Sequence, residues 1–191
     1  MTLPEPVQTL DDALALSPGE DVARIATLTA DFSNAPLATD PVKGAPFGGL
    51  MAALAVRAMR EGLQIQPPLM TLTVQYLAAA RFEAITFTPS LDRGGRSVAY
   101  ASVRAGQPGR AALTAMGTFG TLGHGPEVRP LSPSPTPFDA LDPTPVDPRL
   151  APWFTRYIEH RFDGGPKLGG GSPLGDPTLR LWMRTRDGRP L

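Results

Sequence analysis

The sequence predicts an α+β fold in which a curved antiparallel sheet wraps one long helix, in the order β-α-β-β-β-β. Three observations support this prediction. Residues 48–62 are apolar around most of a helical circumference. Four later segments, between residues 70 and 121, have strand character and are separated by turn residues. Short connections favour antiparallel pairing, because parallel strands need long crossovers.

The first strand and the helix are predicted from apolar spacing and from proline. Residues 23–32 alternate loosely between apolar and small or polar side chains, which is typical of a strand. The helix follows a pair of glycines and ends near Gly62, because Pro67 and Pro68 prevent its continuation. Its apolar positions are Leu50, Met51, Leu54, Ala55, Ala58 and Met59.

Each of the four later strands ends at residues that accept turn geometry. Residues 70–76 alternate with a period of two, as expected for a strand with two unlike faces. The next strand, 82–91, is followed by a predicted turn at 92–95. A strand at 97–105 precedes a turn at 106–109, and 111–121 completes the set.

The length and the apolar surface of the helix determine how the sheet must be shaped. A helix that is apolar on nearly every side cannot rest on a flat sheet with its other flank in water. A strand of ten residues spans about 33 Å, and a helix of fifteen spans about 22 Å. A curved sheet can therefore enclose this helix, which is the hotdog arrangement.

Proline divides the chain into three predicted parts. Of the 23 prolines, nine fall between residues 123 and 152, where apolar periodicity is almost lost. Such a stretch is typical of a semi-extended linker. We therefore predict an N-terminal domain at 1–122, a linker at 123–152 and a C-terminal segment at 153–191. Two short apolar stretches of that last segment flank a glycine-rich loop at 164–177.

Composition excludes several classes of function. The 18 basic residues balance the 18 acidic ones, which disfavours a nucleic-acid binder. The absence of cysteine excludes disulfides, thiolate zinc sites and cysteine nucleophiles, and no metal site is expected. Neither a basic leader with an apolar run nor a stretch of bilayer length occurs, so a soluble cytoplasmic protein without membrane insertion is expected.

The predicted helix opens with residues 47–58, Phe-Gly-Gly-Leu-Met-Ala-Ala-Leu-Ala-Val-Arg-Ala. These residues resemble the helix-opening motif of thioesterase-II-like acyl-CoA thioesterases of the double-hotdog family. The strand ending 74–77, the turn 92–98 and Gln107 are also similar, so the resemblance covers about residues 20–122. Residues 156–162 and 179–184 resemble the opening strands of the second hotdog of the family, which implies an incomplete second copy.

The resemblance implies hydrolysis of an acyl-CoA thioester by water. No separate cofactor is expected, because coenzyme A is part of the substrate. The family carries its catalytic carboxylate on the second half, which implies that this group is missing here. Within the first half, the N–H groups of Gly48 and Gly49 at the helix start are the candidates for polarising the carbonyl. The same glycines are equally consistent with close packing at a tight helix entry.

Six further residues are candidates for the site. Asp40, upstream of the glycine pair, and Asp31, at the end of the first strand, are the candidate bases, although an aspartate at either place is more often a cap or turn residue. Gln75 and Tyr76 are candidates for lining the acyl pocket, and Arg93 and Arg96 for contacting the phosphates of coenzyme A. Tyrosine in an alternating strand is more often a core residue, and surface arginine is often merely solvated.

Two alternatives concern histidine catalysis and the assembly of the chain. We take His124 and His160 as non-catalytic, which disfavours a dehydratase or hydratase. The apolar residues of the C-terminal segment need cover from the first domain, from a second copy or from further residues. A homo-oligomer joined through sheet edges is predicted. The alternative to an enzyme is a non-catalytic acyl-CoA-binding or assembly module with the same fold.

Overall fold

The computed structural model describes residues 7–121, 123, 136–143, 147–165 and 178–188. Its largest unit is an antiparallel sheet of six strands in the order β1-β2-β4-β5-β6-β3. These strands are β1 (Ser17–Pro18), β2 (Arg24–Thr27), β3 (Leu69–Tyr76), β4 (Ala84–Gly94), β5 (Val98–Gln107) and β6 (Arg110–Gly120). The α-helices are α1 (Leu10–Leu14) and α2 (Gly48–Leu63), and β7 (Ile158–Gly164) pairs with β8 (Arg180–Thr185) in a separate two-stranded sheet.

Helix α2 lies inside the six-stranded sheet, as predicted. It contacts each of the strands β2 to β6, which requires the sheet to curve around it. Its residues Leu54, Ala55, Ala58 and Met59 are completely buried. On the strands, the core-facing residues include Ile85, Phe87, Val103, Leu113 and Phe119, all fully buried. The alternation of these residues with exposed neighbours follows the period of two that the sequence shows.

Two predicted turns are displaced, because the strands continue further than their apolar residues do. Strand β4 extends to Gly94, so Asp92 and Arg93 lie in the strand, and a bulge at Leu91/Arg93 accommodates them. Strand β5 includes Gly106 and Gln107, and the turn is reduced to residues 108 and 109, with Gly109 at φ +71°. Backbone pairing therefore persists where side-chain periodicity ends.

The predicted first strand, 23–32, is wrong beyond Thr27. Strand β2 ends there, and the chain turns into a 3₁₀ helix, Ala30–Phe32. The turn directs Phe32 into the core, where its ring stacks on Tyr157 at a centroid distance of 4.0 Å. Helix α1 was not predicted, although Thr9 and Asp12 form a reciprocal capping box at its start.

The C-terminal segment begins with a 3₁₀ helix, Trp153–Tyr157, that packs on the first domain. Part of the apolar surface predicted to need cover is thus covered by the first domain. Trp182 and Met183 of β8 remain 37% and 55% exposed. Half of the predicted linker and most of the predicted glycine-rich loop lie outside the described residues, so the division into three parts stays a prediction. Within the described ranges, no helix has the length and apolarity needed to traverse a bilayer.

Candidate functional site

The start of α2 is an open helix terminus. The helix begins at Gly48, and its N-cap residue, Phe47, offers no side-chain acceptor to the first turn. The first N–H groups of any α-helix lack partners within the helix. In the described part of the chain, no acceptor is recorded for the N–H groups of Gly48 and Gly49. These donors and the positive end of the helix dipole therefore point at the same place.

Gly49 is required by the aromatic ring of Phe47. A Cβ atom at position 49 would collide with the Cε1 and Cζ atoms of that ring. The Phe47 ring also stacks on Phe154, with ring centroids 3.6 Å apart and planes inclined by 14°. The ring is thus enclosed between the first helical turn and Phe154, which supports the close-packing role of this glycine. It leaves the donor role of the N–H group intact.

Gly48 is approached in the same way by Tyr76 at the end of β3. A Cβ atom at position 48 would lie 3.2 Å from the Cζ and hydroxyl oxygen of Tyr76. The Tyr76 hydroxyl donates a hydrogen bond of 2.6 Å to the carbonyl oxygen of Gly48. Partial burial raises the pKa of Tyr76 above its ordinary value, so the hydroxyl stays protonated and can donate at neutral pH. Three predicted site residues, Gly48, Gly49 and Tyr76, therefore meet at this terminus.

Gln75 lies on the opposite face of the sheet from Tyr76. Tyr76 is opposite the buried Leu113, on the helix side, whereas Gln75 is opposite Thr114, on the outer side. The Gln75 side chain accepts a hydrogen bond of 3.3 Å from the Thr114 hydroxyl. Adjacent residues of one strand point to opposite faces. A single pocket inside the sheet of this chain cannot be lined by both.

Arg93 and Arg96 lie at the other end of the sheet from Gly48. The register places Tyr76 level with Leu113, Ala105 and Phe87 on successive strands. Arg93 is six residues beyond Phe87 on β4, about 20 Å further along the strand. Both arginines are exposed beside the β4–β5 turn. Within one chain they do not meet the helix terminus.

The side chain of Asp40, a candidate base, caps a short helix. It is the N-cap residue of the 3₁₀ helix Pro41–Lys43, and its carboxylate accepts a 3.1 Å hydrogen bond from the N–H of Val42. This is the capping role that aspartate commonly has. No hydrogen bond between this carboxylate and Gly48, Gly49 or Tyr76 is present in the described ranges.

A buried ionic cluster near the helix start contains Asp31, a candidate base, and Arg156, which was not predicted as part of the site. Arg156, 2% exposed, donates a 2.7 Å hydrogen bond to the carboxylate of Asp31. The same carboxylate accepts from the N–H groups of Val7 and Gln8 and from the Tyr157 hydroxyl. Burial opposes ionisation of Asp31, but the hydrogen bonds from Arg156 and from the backbone outweigh it and lower its pKa. The sequence separation of 125 residues leaves no local signal for this pair.

Neither histidine lies in this region of the described structure. His160 is on β7, opposite Met183, and burial lowers its pKa. His124 lies outside the described residues. Their non-catalytic role stays a prediction.

Comparison with known proteins identifies relatives of the sheet and the helix. Residues 35–120 match the family model of the acyl-CoA thioesterase N-terminal domain. A conserved hot dog fold protein of Alicyclobacillus acidocaldarius is 23% identical, with a TM-score of 0.77 over 95% of this chain and 64% of its own. A putative thioesterase of Novosphingobium aromaticivorans is 24% identical, with a TM-score of 0.72 over 93% of this chain and 67% of its own.

A third similar structure is the TesB protein of Mycobacterium avium subsp. paratuberculosis. It is 17% identical, with a TM-score of 0.68 over 95% of this chain and 63% of its own length. These similarities confirm the predicted hotdog fold. The chain thus spans between 63% and 67% of the lengths of these three proteins. Among curated proteins, none matches the sequence significantly.

Proposed function

We propose that the chain takes part in the hydrolysis of an acyl-CoA thioester, because residues 35–120 match the family model of the acyl-CoA thioesterase N-terminal domain. The observation that carries the proposal is the open start of α2. Two glycine N–H groups without a side-chain cap lie there beside the Tyr76 hydroxyl. A thioester carbonyl oxygen is an acceptor that suits these donors.

In the proposed reaction, the carbonyl oxygen accepts hydrogen bonds at the start of α2. Water attacks the carbonyl carbon and loses a proton to a base, and negative charge accumulates on the carbonyl oxygen. The carbon–sulfur bond then breaks, the carboxylic acid forms, and the leaving thiolate of coenzyme A takes the proton from the base and becomes the thiol. The N–H donors stabilise the charged intermediate more than the substrate, and losing one such donor typically costs about 2.7–4 kcal/mol.

We propose that the base is a carboxylate of a second hotdog domain. In the described part of this chain, no carboxylate hydrogen-bonds to Tyr76 or to the first turn of α2. Asp40 is committed to its 3₁₀ helix, and Asp31 to Arg156 and two backbone N–H groups. The first hotdog would thus supply the carbonyl-binding donors, and the second would supply the base.

The two edges of the six-stranded sheet indicate where another hotdog domain would bind. Strand β1 is two residues long and contains Pro18. A short edge strand and a proline each protect an edge from pairing. Strand β3 is eight residues long and contains neither proline nor a charged residue, and among the described strands it pairs only with β6. We propose a homo-oligomer in which β3 pairs antiparallel with β3 of a second copy.

In this pairing, Arg93 and Arg96 of one copy would lie near the start of α2 in the other copy. The β4–β5 turn lies at the Leu69 end of the sheet, since Gly94, Ala99, Phe119 and Leu69 are in register. Antiparallel pairing places the Leu69 end of one copy beside the Tyr76 end of the other. The two arginines of one copy then share an end of the joined sheet with the α2 start of the other, where they would contact coenzyme A phosphates.

A test of the thioesterase proposal compares two substitutions at one position. Phe47 has φ −58° and ψ 128°, a conformation that suits a residue before proline, and proline is well accepted at the first helical position. Gly48→Pro removes the N–H group, whereas Gly48→Ala keeps it and adds a similar contact with Tyr76. Thiol release from a panel of acyl-CoAs should fall about 100-fold in kcat for Gly48→Pro and much less for Gly48→Ala.

The second candidate is a non-catalytic acyl-CoA-binding module. It is favoured because, in the described part of the chain, no carboxylate hydrogen-bonds to the first turn of α2. Calorimetric binding of acyl-CoA without any thiol release would support it. Equal turnover by Gly48→Pro and Gly48→Ala would instead show that the Gly48 N–H group takes no part in the mechanism.

The edge proposal has a test of its own. Thr73 is exposed near the middle of β3, so in a symmetric pair it lies close to the same residue of the other copy. Thr73→Lys should place like charges together and shift the mass in light scattering from that of a dimer to that of a 20.2 kDa monomer. Thr88→Lys, on the exposed side of central strand β4, is the control. A monomeric parent protein would contradict the proposal.

A further inference from the structure

The 3₁₀ helix Trp153–Tyr157, which we call the brace, holds the start of α2 from outside the first domain. We propose that the brace positions the N–H donors of α2 and that Phe154 is the positioning residue. The inference rests on the proposed role of these donors. Its structural part, the ordering of the α2 start, can be measured separately.

Phe154 acts on the donors through a single intermediate ring. Its side chain stacks on Phe47 at 3.6 Å, and the Phe47 ring in turn covers Gly49. Because Phe47 has no polar side chain to cap the helix, its position depends on packing and on its backbone. Removing Phe154 would leave one face of the Phe47 ring without a partner.

The backbone of the brace is fixed to the segment that leads into α2. The N–H of Trp153 donates to Ala35 O at 3.0 Å, and the N–H of Phe154 donates to Ser33 O at 3.2 Å. The Trp153 Nε1 group donates to Thr39 O at 3.0 Å. Ser33 is completely buried. Phe154 is therefore presented to Phe47 from a rigid position.

The far end of the brace is fixed to the residue that also holds Phe47. The N–H of Phe47 donates to Phe32 O at 2.7 Å, and the Phe32 ring stacks on Tyr157. Next to Tyr157, Arg156 forms the buried ion pair with Asp31. The brace thus reaches the N-cap residue Phe47 by two routes. Phe154 stacks on its ring, and Tyr157 stacks on Phe32, whose carbonyl oxygen accepts from the Phe47 N–H. A displacement of the Phe47 or the Phe32 ring would move the helix start.

The two glycines at the start of α2 make support from outside the helix necessary. Two successive glycines have the largest backbone freedom of any residue pair, and at a helix start the chain has the fewest helical hydrogen bonds. An oxyanion site needs donors that are held in place before the reaction. We therefore expect loss of the brace to lower kcat and to change KM little.

The experiment compares Phe154→Ala with Phe154→Tyr and Met183→Ala. Phe154→Tyr keeps the stacked ring, and Met183→Ala removes an exposed apolar side chain from the same C-terminal region. Amide resonances of Gly48 and Gly49 in ¹H–¹⁵N spectra should shift, and their ¹H–¹⁵N heteronuclear NOE should fall, in Phe154→Ala alone. With any acyl-CoA that the parent protein hydrolyses, kcat should fall about tenfold, with KM changed less than twofold, again in Phe154→Ala alone.

The outcomes separate the brace from the proposed function. Unchanged glycine amides in a folded Phe154→Ala protein would overturn the brace, whatever the turnover. If the parent hydrolyses no thioester, the thioesterase proposal fails while the amide measurement still decides the positioning. Should Phe154→Ala not fold, Phe154→Leu, which keeps most of the volume without the aromatic face, replaces it. Equal effects in Phe154→Ala and Met183→Ala would also count against the brace.

Discussion

The two ends of α2 differ in how their backbone groups are satisfied. At the C-terminal end, the carbonyl oxygen of Arg60 accepts from the N–H of Ile65 at 3.0 Å, and the carbonyl oxygen of Glu61 accepts from Arg24 at 2.9 Å. Gln64 closes this end in the left-handed conformation. At the N-terminal end, the N–H groups of Gly48 and Gly49 have no side-chain cap. One end is closed by the protein, and the other is open.

This difference teaches where rigidity comes from at an open terminus. The C-terminal end is held by hydrogen bonds to its own carbonyl groups. The N-terminal end is held by rings on either side, Phe47 with Phe154 and the Tyr76 ring, which leave the donors themselves uncovered. Packing can therefore fix a binding group in place without occupying it. The following substitutions test this contrast, beginning with the largest expected effect.

Asp31→Asn should loosen the N-terminal end and leave the C-terminal end unchanged. It removes the negative charge that pairs with the buried Arg156, and breaking a buried ion pair typically costs about 3–5 kcal/mol of unfolding free energy. Denaturant titration measures the loss. Hydrogen exchange should accelerate at Met51, whose N–H donates to Phe47 O, before it does at Ile65, whose N–H donates to Arg60 O. Uniform acceleration would contradict the contrast.

The same pair predicts the pH dependence of stability. The pKa of Asp31 is lowered from 3.8 in the folded protein, so its carboxylate stabilises the fold above pH 4. This contribution is lost as the pH falls through the lower folded pKa. The stability difference between the parent protein and Asp31→Asn should therefore be constant from pH 5 to 7 and shrink below pH 4.

Gly49→Ala should disturb the open end by overpacking. The new methyl group would displace the Phe47 ring, which stacks on Phe154. Overpacking typically costs about 1–3 kcal/mol. The melting temperature should fall, and kcat should fall at least tenfold. Gly123→Ala is the control, since a Cβ atom there meets nothing within 4 Å. A stabilised Gly49→Ala protein would show that the ring moves freely.

Tyr76→Phe should have a smaller effect, because it removes a hydroxyl and keeps the ring. The lost hydrogen bond to Gly48 O lies at a residue that is 56% exposed, so the stability change should stay below about 1 kcal/mol. We expect kcat/KM to fall a few-fold. Tyr100→Phe, at a tyrosine that is 47% exposed on β5, should leave both values unchanged.

Arg93→Ala and Arg96→Ala should have the smallest effects on stability, within about 0.5 kcal/mol, because both residues are exposed. If the arginines contact coenzyme A phosphates across a dimer, KM for acyl-CoA should rise a few-fold. KM for the matching acyl-pantetheine, which has no phosphate, should not change. An equal rise for both thioesters would exclude phosphate contact as the cause.

The sequence predicted the helix and strand positions that depend on the local periodicity of apolar residues. The helix was placed at 48–62 and is found at Gly48–Leu63, and the strand placed at 70–76 is found at Leu69–Tyr76. Alternation within that strand also separates Gln75 from Tyr76, a signal that the site prediction did not use. Local period does not identify contacts between distant segments. The stack of Phe154 on Phe47 and the pair of Arg156 with Asp31 therefore became visible only in the folded structure.

The hydrogen bond from the Tyr157 hydroxyl to Gln8 O joins residues 149 positions apart. Contacts that close so long a loop carry a large entropic cost and form late, whereas the β4–β5 and β5–β6 hairpins are local and form early. During synthesis, the sheet and its enclosed helix can assemble before Tyr157 has left the ribosome. The open helix start would then acquire its final geometry as one of the last events of folding.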